Sequence, residues 1–377
     1  MKIRMFDALL SIVKIEPDSI QRLGIDWEDE DNVECFLKMA DLGGVSSWCY
    51  YQFINQKALV EEVPDVILRK LKGRYLTSLM ANRQKALLYQ QMKELLREEE
   101  MPVALLKGMA LAFTVYPDEA LRPMGDMDLL VPEEKVFEAR DCLLKNGGKA
   151  AYIPLSHWHE AHHGHVRAIQ MPADRSLIEL HARLYSRGNR YQPKRFNWGE
   201  NIVSRRTEMG EVLRLNDAWM VYHLATHLYF GYRMGGVRLG WLLDLAVLFE
   251  QVEDVTALMH KVFTIHPQVN NDLKQVMGWA SRLMSNTVKD ELKPFLPKKQ
   301  DFPELEIFTQ HKGNTNLHRG LMLRELLNTP GLIHKTMGAW HHLFPSYEYM
   351  QYTYGVERKI DFLKAYVNRW KGSGKKG

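Results

Sequence analysis

The chain has 377 residues, 46% hydrophobic and 25% charged, with a formal net charge of +4. That composition supplies a sizeable apolar core and excludes a fibrous or fully disordered chain, and the length suits two or three domains. The three cysteines, Cys35, Cys49 and Cys142, are far apart and odd in number, which argues against a disulfide framework or a cysteine zinc knuckle.

The opening MKIRMFDALLSIVKIEPDS reads as an amphipathic helix. Asp7 and Lys14 interrupt its apolar stretch and no small-residue cleavage site follows, so a secretory leader is not expected. No apolar run approaches the ~18 residues needed to cross a membrane. The expectation is a cytoplasmic protein with no membrane partner. Asp26–Glu34, DWEDEDNVE, reads as a loop and helix start. The long stretch from Ile67 to Glu100 repeats apolar residues at three and four, the helical period. Residues 1–100 are therefore expected to form an N-terminal helical region.

The texture changes at Met101. PVALLKG is a short apolar strand, MALAFTVY a helix, and Pro117-Asp118 a breaker. GDMDLLVP holds a strand. EEKVFEARDCLLKNGG follows as an amphipathic helix with glutamates in its first turn and glycines after its end. KAAYIPL, HVRAIQM and SLIELHARL are further strand candidates. Residues 101–215 thus read as an α/β core. From Asn216 the helical texture returns in DAWMVYHLATHLYFGY and RLGWLLDLAVLFEQV, giving a C-terminal helical region over 216–370. The tail 371–377 is expected to be disordered. The fold class expected is α+β, a mixed-sheet core flanked by helical regions. The mildly basic charge permits a polyanionic ligand without requiring nucleic acid. HARLYSRGNRYQPKR mixes basic and aromatic residues and reads as a solvated loop, with an anionic acceptor or RNA as the rarer reading.

Chemistry concentrates in RPMGDMDLLV. On a strand, residues i and i+2 share a face, so Asp126 and Asp128 project together while Met127 and Leu129 enter the core. Two carboxylates so close repel, and a divalent cation such as Mg²⁺ removes the conflict. A bare D-x-D more often marks a solvated edge, but three neighbours change the balance. Lys107-Gly108 ends a strand and opens a helix, offering free N–H groups and a cation to an anion. Arg122 suits phosphate oxygens, and Gly125 removes bulk beside the first aspartate. Glu179, between Ile178 and Leu180, supplies a third carboxylate if its strand pairs near Asp126.

A glycine turn, an aspartate pair and a later acidic residue resemble the polymerase-β-like nucleotidyltransferase superfamily. LLKG, RPMGDMDLLV, IELH and the helices WMVYHLATHLY and RLGWLLDLAVL resemble in particular a bacterial branch of uncharacterised nucleotidyltransferases, over roughly residues 100–250. The resemblance implies transfer of NMP from an NTP such as ATP to an acceptor hydroxyl. It implies two Mg²⁺ ions held by Asp126 and Asp128, with Glu179 as a further ligand or the general base. Lys107, Gly108, Arg122 and Gly125 are the implied nucleotide contacts. Met109 stands where the wider superfamily has Gly or Ser, which leaves the triphosphate to Lys107, Arg122 or backbone N–H groups. The acceptor expected is a small molecule, sugar or peptide. His181, His223, His227 and Asp244 are candidate acceptor-cleft residues. Asp244, in a strongly apolar helix, needs a partner such as one of these histidines or Arg238.

Two other readings remain open. Met109 favours a non-catalytic nucleotide-binding module. SHWHEAHHGH, from Ser156 to His165, contains His159-Glu160-Ala161-His162-His163, which formally satisfies the zinc hydrolase string H-E-x-x-H. That motif needs a sustained helix, and here Gly164 follows at once and strand candidates flank it. The His157–His165 run therefore reads as a loop and strand lip beside the nucleotide.

Overall fold

The computed structural model describes residues 2–16, 25–56, 63–151, 157–172, 176–299, 301–309, 315–356 and 361–370. The expected tail 371–377 lies outside them. Helices α1 (Lys2–Val13), α2 (Glu30–Gly43), α3 (Ser46–Asn55) and the long α4 (Asp65–Glu98) come first. The mixed stretch holds β1 (Ala104–Leu105), α5 (Lys107–Thr114), β2 (Asp126–Leu130), α6 (Val136–Lys145), β3 (Lys149–Ala150), α7 (His157–His162), β4 (Ile169–Gln170), β5 (Leu177–His181), α8 (Trp198–Asn201), β6 (Ile202–Thr207) and β7 (Gly210–Leu215). Then come α9 (Asp217–Arg233), α10 (Leu239–Phe249), α11 (Val255–Ile265), α12 (Asn270–Ala280), α13 (Asn286–Leu292), α14 (Leu305–Thr309), α15 (Thr315–Asn328), α16 (Leu332–Leu343), α17 (Tyr347–Tyr354) and α18 (Phe362–Trp370). The architecture is α+β, as expected.

The chain divides into two compact units, each assembled from separate segments. The first comprises Met1–Gln90, Ala104–Gly125 and Pro193–Leu317. Its helices begin and end where local chemistry dictates. The Asp29 side chain accepts the Asp31 N–H at the start of α2, and Gly44 closes that helix at φ 69°. Asn216 caps α9 by accepting from the Trp219 N–H. The near-continuous apolar run of α10 is buried along almost its whole length, as a helix apolar on all sides must be. Its neighbours α9 and α12 share that core through Tyr222, Val276 and Met277. Within this unit β1 pairs in parallel with β7, and β6 and β7 form an antiparallel hairpin closed at Thr207↔Gly210. The hairpin was not legible beforehand, because Ser204, Arg205 and Arg206 interrupt any apolar alternation.

The second unit comprises Gln91–Val103, Asp126–Gln192 and His318–Gly377. Its strand order is β3-β4-β5-β2, with β2 and β5 parallel and the other pairs antiparallel. Met127, Leu129, Ile178 and Leu180 point to one face and are fully buried, with α6 packed on β4 and β5. Each such side chain contributes roughly 1.5–3 kcal/mol on burial. The opposite face of the same two strands is left for polar residues. KAAYIPL and HVRAIQM form less strand than expected: two residues each, and 152–156 lie outside the described residues. Near the C-terminus Met350, Val356, Ala365 and Tyr366 make a small separate cluster. Among the described residues no helix is long and apolar enough to cross a membrane.

Candidate active site

The parallel register of β2 and β5 brings the polar face together. Asp126 stands opposite Leu177, Asp128 opposite Glu179, and Leu130 opposite His181. In-register residues of neighbouring strands share a face, so Glu179 lies beside Asp128 and His181 follows two residues on. Ligand atoms of Asp128, Glu179 and His181 all lie within 4.8 Å of one another. Asp126 sits on the same face at the exposed start of β2 and is outside this group.

The electrostatics explain how two carboxylates coexist there. His181 Nε2 is 2.9 Å from Asp128 Oδ1 and 3.6 Å from Glu179 Oε2. Asp128 and His181 are both buried, at 5% and 3% exposure. A second imidazole arrives through a bridge between His165 and His181, which sets His165 Nε2 3.8 Å from Glu179 Oε2. Burial pushes the Glu179 carboxyl upward. The His181 hydrogen bond and the His165 charge outweigh it and hold the carboxyl below its usual range. Arg183, itself buried, fixes the histidine segment by donating from Nη2 to the carbonyls of Ala161 and His163 at 2.5 and 2.8 Å.

The sequence placed His181 in an acceptor cleft. In the structure it hydrogen-bonds Asp128. The signal was available: Glu179 and His181 are i and i+2 on a strand, as Asp126 and Asp128 are. The histidine run also departs from expectation, because residues 157–162 form the short helix α7. His163 lies beyond that helix's end, and Glu160 is buried, accepting from Arg140 Nη1 at 2.8 Å and the Arg167 N–H at 3.2 Å. The Glu160 carboxylate of the H-E-x-x-H string is thus held in an ion pair. The side chains of His157 and His159 lie outside the described residues.

The remaining candidates belong to the first unit. Lys107 opens α5 at φ 44°, a left-handed conformation uncommon for a side-chain-bearing residue. Gly108 is buried, and a Cβ there would lie 2.9 Å from Met124 Cγ. Gly125 has open space where a Cβ would stand. Arg122 Nε donates to Asp244 Oδ1 at 2.6 Å, and the Tyr116 hydroxyl donates to the same oxygen at 2.8 Å. The partner of Asp244 is therefore Arg122 with Tyr116, and not Arg238 or a histidine. The long guanidinium arm closes the distance that α10 sets. Burial pushes the Asp244 carboxyl up, and Arg122 and Tyr116 reverse only part of that shift. Asn82 of α4 donates to the carbonyls of Glu119 and Arg122 at 2.6 and 2.9 Å, which holds the loop leading to RPMG. His223 is buried on α9, and His227 packs on Trp241 with ring centroids 4.8 Å apart.

A family model described as uncharacterised nucleotidyltransferase matches residues 29–264, well over half of the chain. The match starts at Asp29, the cap of α2, so it takes in helices that the narrower span of 100–250 omits. Comparison with curated proteins gives no significant match. A solved structure titled an antigenic nucleotidyltransferase-like protein from Paracoccidioides brasiliensis is similar at 12% identity and a TM-score of 0.28, covering 50% of this chain and 91% of that one. The extent of the family match is decisive: the chain belongs to this family of nucleotidyltransferases.

Proposed function

We propose that the chain moves a nucleotidyl group from an NTP to an acceptor hydroxyl at the face shared by β2 and β5, with a divalent cation held by Asp128, Glu179 and His181. The observation that carries this is their convergence within 4.8 Å in a chain of this family. The donor set fits such an ion. Two carboxylates side by side are costly without a cation, and oxygen ligands suit Mg²⁺ or Mn²⁺. The imidazole widens the fit towards transition metals. A bound cation supplies Lewis-acid polarisation of the phosphoryl oxygens.

The chain's own groups supply the rest. Asp126, on the same face but exposed and outside the ligand group, orients the acceptor hydroxyl and takes its proton in this reading. Gly125 keeps the approach to Asp126 clear of side-chain bulk. Arg122, held by Asp244, acts by fixing the segment that carries Gly125.

Incubation with α-phosphate-labelled NTPs, Mg²⁺ or Mn²⁺ and a cell extract tests this. Label transfer is expected in the wild type and is reduced more than about 100-fold in folded Asp126→Asn and Asp128→Asn variants. Cation binding, read by Mn²⁺ electron paramagnetic resonance, falls in Asp128→Asn and persists in Asp126→Asn. Undiminished transfer in both variants overturns the assignment.

A further inference from the structure

Helix α16 of the second unit, LIHKTMGAWHHL, turns one side to its neighbours and the other to solvent. At about 3.6 residues per turn, Leu332, Ile333, Met337 and Trp340 fall within an arc of roughly 140°. All four are exposed, Leu332 at 78%, Ile333 at 73% and Trp340 at 61%. The opposite side carries His334, Gly338 and His341. A Cβ on Gly338 would lie 2.6 Å from the Trp158 indole, so that side is pressed onto α7. His341 stacks on the same indole with ring centroids 5.5 Å apart, and His334 hydrogen-bonds His162 at 3.0 Å between ring nitrogens. The contacts of the inward side thus fix the direction in which the apolar stripe points. Trp340 rests on Phe344 at 4.4 Å, and Phe344 meets Tyr366 of α18 at 5.7 Å between ring centroids. Helix α18 exposes a further apolar pair one turn apart, Leu363 and Val367.

Single exposed apolar residues are ordinary, but a stripe of four large ones on one helix marks a contact surface. Charge narrows the partner. Residues 329–377 hold eight Lys or Arg against three Asp or Glu, a net +5, where the whole chain has +4. The remainder of the chain is therefore close to neutral. Neither α16 nor α18 contains an acidic residue. A second copy seated on the stripe would bring two segments of the same sign together, which is repulsive. RNA would answer the charge but leave Leu332 and Ile333 in water. An anionic bilayer answers both features. Its headgroups attract Lys and Arg, its acyl chains take up aliphatic side chains, and an indole suits the boundary between them.

We propose that α16, with α18 beside it, docks on an anionic phospholipid surface. Helix α16 lies in the plane of the interface, with Leu332, Ile333, Met337 and Trp340 among the upper acyl carbons. Lys335 and Lys364 extend to the headgroups. A helix that lies on a bilayer needs no spanning run, so the sequence expectation of no membrane partner addressed only crossing.

Co-sedimentation of the full chain with vesicles tests this, using phosphatidylcholine alone and phosphatidylcholine mixed with phosphatidylserine. Binding to the mixed vesicles is expected, with the neutral ones at least about tenfold weaker and salt near 1 M removing most of the difference. Ile333→Ser combined with Trp340→Ser weakens binding more than about tenfold. Both side chains are exposed, and an unchanged circular dichroism spectrum shows that the variant is folded. Lys371→Glu, Lys375→Glu and Lys376→Glu together bring binding to mixed vesicles down to the neutral level. Lipids brominated in the acyl chain quench the wild-type tryptophan fluorescence, and Trp340→Phe still binds but loses a share of that quenching. Equal binding to both kinds of vesicle, no binding to either, or binding untouched by the Ile333 and Trp340 substitutions overturns the proposal. Self-association abolished by those substitutions, without vesicle binding, overturns it in favour of a second copy. Tighter binding to an RNA homopolymer than to mixed vesicles overturns it in favour of nucleic acid.

Discussion

His181 shows what one imidazole changes at the scale of the residue. Its Nε2 stands between the Asp128 and Glu179 carboxylates, so it offers a nitrogen donor where oxygen donors alone would favour Mg²⁺. The wild type is expected to bind Mn²⁺ more tightly than Mg²⁺, and His181→Ala to lose about 10–100-fold in Mn²⁺ affinity with a smaller loss for Mg²⁺. Isothermal titration with each ion checks this, and equal losses for both ions count against a ligating imidazole. Asp126, Asp128 and Glu179 were legible one by one, because a carboxylate inside an apolar strand is conspicuous. The partnership of Asp128 with His181 was not, because it depends on which strand lies beside β2.

The loop after α5 and the helix α10 meet at a buried carboxylate. Asp244 is 1% exposed and carries Arg122 and Tyr116 on one oxygen. Arg122→Met leaves that carboxylate without its cation and is expected to cost roughly 3–5 kcal/mol in chemical denaturation. Asp244 already has a folded-state pKa above its ordinary value, and losing Arg122 raises it further. A raised carboxyl pKa means that the folded state binds the proton more tightly than the unfolded state. The penalty is therefore absent below the unfolded pKa and grows as pH rises towards the folded pKa. The variant should recover part of its stability between pH 7 and about pH 5 relative to wild type. A constant difference across that range removes Asp244 as the cause. The sequence made the need for a partner plain, since a carboxylate in WLLDLAVL cannot stand alone. It could not name Arg122, which lies 122 residues earlier. The β6–β7 hairpin was missed for a related reason: its register is set by the two-residue turn closed at Thr207↔Gly210 and not by an apolar period.

Across the whole molecule, stability is unevenly distributed. β2, β5, α9 and α10 hold many fully buried side chains, whereas α16 buries only Gly338 and α17 only Met350. Native-state hydrogen exchange is expected to show amides of 127–130, 178–181, 219–230 and 239–249 opening near the global unfolding free energy. Amides of 332–354 should exchange by cheaper local opening. Uniform protection across these segments contradicts that division.

By itself the sequence determined the helical ends, the mixed middle, the α+β class and the strand that carries Asp126 and Asp128. These follow from local period and from the cost of charge in apolar surroundings, which each segment carries with it. Tertiary structure alone decided that β5 lies parallel to β2 with Glu179 opposite Asp128. It also decided that His181 joins that cluster and that Arg122 belongs to Asp244. Pairing partners and registers are set by how whole faces bury together, and no short stretch of sequence encodes the neighbour it will meet.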